Sequence, residues 1–95
     1  MVKFNSQLLE FHHMVEFSKD NTVFAAAREN GNGHLRIFLV HHDTGSVYSH
    51  NGRNQAWEEL SNLDRDSILQ GILTARDNNI PVYRINGNSG SLYLG

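Results

Sequence analysis

Two consecutive Asn-Gly pairs, Asn30-Gly31 and Asn32-Gly33, separate a β-prone stretch that opens with Thr22-Val23-Phe24 from a second that runs from His34 to His42. A tight type I′ turn needs positive φ at both central residues, which asparagine and glycine adopt readily and bulky residues do not. The spacing predicts an antiparallel hairpin between Thr22 and His42. In its return strand Leu35, Ile37, Leu39 and His41 alternate with Arg36, Phe38, Val40 and His42. Both faces carry apolar residues, so this strand is expected inside a sheet rather than at its edge. Asp43-Thr44-Gly45 has the composition of a three-residue loop with glycine in the left-handed position, and Ser46 to Ser49 is expected to pair back as a third strand.

The flanks read as helices. Between Ser6 and Phe17, Leu8, Phe11 and Val15 follow i, i+3, i+7 spacing, which predicts an N-terminal helix capped by Asn5 or Ser6. From Gln55 to Asn78, Trp57, Leu60, Leu63, Ile68, Leu69, Ile72 and Leu73 form an apolar stripe. Ser61 followed by Asp64 looks like a capping box within that stretch, so two helices or one broken helix are expected, ending at Asn78-Asn79. Ile80 to Ile85 is β-prone, with Pro81 suited to a strand start or edge, and Ser91 to Leu94 reads as a short last strand. The expected fold is a single α+β domain over residues 1–95. It has an antiparallel sheet of three to five strands, an N-terminal helix and a longer helix after the third strand, in α-β-β-β-α-β order.

Composition bounds the functions open to such a chain. At 95 residues and 10.8 kDa it buries a thin core, which a homodimer would thicken. Without cysteine it can form neither disulfides nor thiolate metal sites, which fits a cytoplasmic setting. The apolar run Ile37 to Val40 falls far short of the roughly 20 residues needed to span a bilayer. Residues 1–7 show no apolar secretory core, so neither membrane insertion nor export is expected. Eight Lys and Arg against ten Asp and Glu give a net charge of −2, the wrong sign for a protein that owes its affinity to phosphate neutralisation. Six of the eight basic residues are arginine, the better residue for forked contacts with carboxylate or phosphate.

The six histidines are the most suggestive chemistry, because imidazole with carboxylate is a common metal ligand set. Neighbours in a strand point to opposite faces, so His41 and His42 cannot easily share an ion, and His34 lies roughly 26 Å from His42 at strand rise. No metal and no cofactor are expected. There is no nucleophile elbow, catalytic cysteine or P-loop, and Gly31-Asn32-Gly33 lacks the third glycine and following helix of a dinucleotide fingerprint. No catalytic residue is assigned. In arrangement the α-β-β-β-α order resembles double-stranded-RNA-binding domains, and β-β-β-α-β resembles part of an RNase-H-like fold. Such likeness implies nucleic-acid partners or nuclease carboxylates. Yet the second helix lacks a lysine cluster and Thr22 to Arg28 carries no carboxylate.

These readings favour a small non-enzymatic interaction protein, of the regulator or virus-encoded inhibitor type, that binds and modulates a larger protein partner. Trp, Tyr and Arg dominate interface energetics, so Tyr48, Arg53, Trp57, Tyr83 and Arg84 are the expected partner-binding residues. An alternative is a binder of a small anionic or nucleotide-derived ligand at Asn51, Gly52, Arg53 and Asn54, where backbone amides would open a helix. A nucleic-acid-binding module is the third reading, disfavoured by charge.

Overall fold

The computed structural model describes residues 9–31, 33–51 and 56–89. Its elements are β1 (Leu9–Phe17), β2 (Thr22–Glu29), β3 (Leu35–His41), β4 (Ser46–Asn51), β5 (Ala56–Glu59), α1 (Asn62–Asp77) and β6 (Val82–Ile85). They build one mixed six-stranded sheet in the order β5-β4-β3-β2-β1-β6, in which β6 runs parallel to β1 and the other neighbours are antiparallel. The expected α-β-β-β-α-β fold is thereby overturned. No helix precedes β2 among the described residues, and α1 follows the fifth strand rather than the third. With the N-terminal helix gone, the likeness to double-stranded-RNA-binding domains goes too.

The error over Leu9–Phe17 has a local cause. A β-bulge lies between Phe11 and His13: Phe11 pairs with Ala27 and His13 with Ala26, leaving His12 as the extra residue. Leu9 and Phe11 therefore share a face with Met14 instead of with residue 13, and the shifted parity imitates helical spacing. Central placement hides the period further, since Phe17 on the opposite face is buried as well. Leu8 and the expected caps Asn5 and Ser6 lie outside the described residues.

The central hairpin forms, but through a four-residue connection in which Asn30 does not take the positive φ expected of a type I′ turn. Glu29 and His34 close the loop through an amide-to-carbonyl bond of 2.9 Å, and Gly31 and Gly33 take φ of 102° and 71°. Gly45 adopts φ 73° and donates its amide to the His41 carbonyl, turning β3 into β4. β3 lies between β2 and β4, as its two apolar faces demand.

The stretch from Gln55 splits. Ala56–Glu59 pairs with β4 as β5, and the helix begins only after Ser61, whose hydroxyl accepts the Asp64 amide at 3.4 Å. Asn79, at φ 62°, stops the helix. Ile68, Gly71, Ile72 and Ala75 form its buried stripe, and they pack on Leu9, Phe11 and Met14 of β1, Val23, Ala25 and Ala27 of β2, and Phe38 and Val40 of β3. Ala25 and Ala27 of β2 contribute small side chains to this core. The other face of the sheet has no described helix or strand lying over it.

Candidate functional site

Strand register decides where the expected contact residues stand. Tyr83 pairs with Val15 and Arg84 with Glu16, so Tyr83 shares the helix-free face with Val15 while Arg84 stands on the helix side. Tyr48 pairs with Leu39 and Trp57 with His50, which places both on the helix-free face at the far edge. The five residues named from sequence thus do not form one patch. Tyr48 and Trp57 are half-buried neighbours on β4 and β5, Tyr83 is five strands away from Trp57, Arg84 faces the other side, and Arg53 lies outside the described residues. The alternative ligand set fares similarly: Asn51 ends β4, and Gly52, Arg53 and Asn54 lie outside the described residues.

Trp57 does not anchor the helix. Its ring meets Phe24 edge-on at 5.6 Å, and Phe24 meets Phe17 at 5.5 Å. β2 and β5 are three strand steps apart, roughly 14 Å in a flat sheet. The sheet therefore curls on this side and the two rings lean together across it. Leu39, which pairs with Phe24, is 1% exposed. At the outer end of the same face Tyr83 and Ile85 stay 57% and 44% exposed.

The two edge strands differ in what they offer. In a parallel ladder alternate residues turn their backbone groups toward the neighbour. Met14 donates its amide to the Pro81 carbonyl and Ser18 to that of Ile85, which turns Pro81, Tyr83 and Ile85 toward β1. The amides and carbonyls of Val82 and Arg84 consequently face away from the sheet, without a partner among the described residues. On β5, Ala56, Trp57 and Glu58 all make further interactions.

Charge concentrates beside this edge. The Glu16 carboxylate receives Arg76 from the helix on one oxygen and the Arg84 Nε on the other, the latter at 2.9 Å. The hydrogen bond from Arg76, reinforced by that from Arg84, holds its carboxyl below the usual range against the opposing effect of burial. At the bulge, His12 and His13 meet Nδ1 to Nδ1 at 2.8 Å, so one ring donates and the other accepts. Burial, then the charges of His13 and Arg28, depress His12 despite Glu10. Its Nε2 is buried and bonds nothing among the described residues. Among those residues no group of three or more His, Asp or Glu side chains is placed to hold a metal ion, and no helix is long and apolar enough to cross a membrane.

Sequence reasoning selected Tyr83 and Arg84 by residue type and read Pro81 as suited to a strand start or edge, without joining the two; β6 is indeed an edge strand among the described residues. It missed Glu16, whose partners are 60 and 68 residues away in the chain. No protein-family model, no curated protein and no solved structure matches this chain.

Proposed function

We propose that this chain is a non-enzymatic interaction protein that captures an extended segment of a protein partner along the edge of β6, which is free among the described residues. The observation that carries the reading is the outward row of Val82 and Arg84 backbone groups. An added strand takes its affinity from such groups and its specificity from the side chains that alternate beside them. On one side of that edge stand the exposed Tyr83 and Ile85, and on the other Arg84. The matching segment alternates apolar residues, facing Tyr83 and Ile85, with acidic residues, facing Arg84. The four-residue length of β6, the preceding Pro81 and the charge of Arg84 are also what guards an edge against indiscriminate pairing. They restrict the partner to a short, complementary strand.

The test is selection from a random peptide display library, followed by amide chemical-shift mapping. Enriched peptides are expected to alternate apolar and acidic residues and to shift residues 82–85 first. Arg84→Pro removes an outward amide together with the guanidinium that would face acidic positions, leaves the β1 ladder intact, and is expected to weaken binding by more than about tenfold. An unenriched library, or shifts centred on Tyr48 and Trp57, would overturn the edge reading.

A further inference from the structure

We infer that the corner of the helix-side face where β1 ends, β2 begins and β6 lies alongside is a binding site for a small oxyanion, a carboxylate or phosphate group. A cavity of about 240 Å³ opens there, with Glu16, Ser18, Asn21, His42 and Arg84 in its polar lining. It is smaller than the roughly 300–1,000 Å³ typical of drug-sized ligands and suits a single charged group.

Two cations meet one anion beside this cavity. Glu16 accepts from both Arg76 and Arg84, which leaves the trio with a net positive charge. Glu16 acts as a positioning residue, because an ionised carboxylate that grips both guanidinium groups fixes their planes before any ligand arrives. Arg84 bonds it through Nε, so its two terminal nitrogens have no partner among the described residues, and the side chain is 81% exposed. A guanidinium edge of this kind matches the two oxygens of a carboxylate or phosphate. On the cavity's other side His42 is held by its own amide, which donates to the Asn21 carbonyl at 3.1 Å. Its exposed ring makes no bond to any described residue and carries a donor N–H in either tautomer.

Neighbouring acids set the selectivity. Asn21 donates its side-chain amide to Asp43 at 2.9 Å, and Asp20 lies one residue away in the turn, bound to Thr22 and Ser89. These carboxylates repel densely charged ligands such as polyphosphates, and the corner suits a group of one or two charges. The site belongs to the helix side of the sheet and does not depend on an added strand at β6.

The experiment is a chemical-shift titration of the full chain with acetate and, separately, with inorganic phosphate at constant ionic strength. The expected result is saturation with a Kd on the order of 1 mM, with shifts confined to the Arg84 side chain, His42 and the amides of residues 18–23. Arg84→Gln is expected to weaken binding about tenfold while leaving the Arg84 backbone amide for strand addition. His42→Phe should weaken it less. Preference for acetate identifies a carboxylate source and preference for phosphate a phosphorylated one. Drift without saturation, equal shifts at Arg28 and Arg65, or an unchanged Kd in Arg84→Gln would overturn the inference.

Discussion

The two faces of the sheet solve the same problem differently. On one, a helix supplies the cover: Phe38, Met14 and Ile68 are fully buried between sheet and α1. The strands beneath mix small residues, Ala25 and Ala27, with large ones, Phe11, Met14 and Phe38. On the other, the sheet covers itself by curling until Trp57 reaches Phe24, and histidines and tyrosines fill positions that a helix-covered face would give to aliphatics. Where an element lies on top, its own side chains help fill the core and small strand residues can stand among large ones. Where none is described, large rings from the strands close the gap.

This contrast can be broken by substitution. Phe38→Ala leaves a cavity in a site with no room to collapse and should cost about 3–5 kcal/mol in denaturant unfolding. Trp57→Ala removes a half-buried ring from the self-closed face, and about 2 kcal/mol is expected. Equal losses would mean that the second face is as fully a core as the first. Asp20→Ala comes next. Asp20 accepts the Ser89 amide at 2.6 Å, the Ser89 hydroxyl at 2.5 Å and the Thr22 hydroxyl at 2.7 Å, and both Ser89 and Thr22 are buried. Burial alone would raise the Asp20 pKa, yet these bonds together hold it below its ordinary value. Leaving the buried donors without an acceptor should cost about 1–2 kcal/mol.

The smallest effects separate the faces by pH. His12 has a pKa depressed below its ordinary 6.5, so the unfolded chain binds its proton first and stability falls as pH drops below about 6.5. Glu16, on the helix side, is depressed below 4.5, so its contribution is present above that pH and lost as pH falls through the folded value. Each step should amount to under about 1 kcal/mol, because neither residue is fully buried. In unfolding curves across pH, His12→Gln should flatten the first decline and Glu16→Gln the second. Loss of both declines in either variant would show that the faces titrate as one unit.

How much of this was legible varies with the range of the forces involved. The β2–β3–β4 core was readable because its turns are local: Asn-Gly and Asp-Thr-Gly state their geometry in a few residues. β1 was not, because one bulged residue shifts its parity and its neighbours on both sides bury both faces. β5 was misread because Trp57, Glu58 and Glu59 suit a helix stripe as well as a strand. Pairing with β4 decides it, and pairing is invisible in a four-residue window. Ser61 was legible as a cap because that bond spans three residues. Pro81 hinted at an edge, but which edge is set by pairing: Arg84 stands on an edge free among the described residues because β6 pairs with β1, 68 residues earlier.

That last pairing bears on how the chain is born. β1 through β5 follow one another in sequence and in space, so each can join its predecessor soon after synthesis. β1 is different. Its outer edge and the apolar side chains of Leu9, Phe11 and Met14 must wait until α1 and β6 are made. A nascent chain halted after Glu59 holds five strands and a bare first edge, the kind of surface that recruits chaperones or neighbouring chains. The final third of the sequence is what closes the sheet that the first two thirds have already laid down.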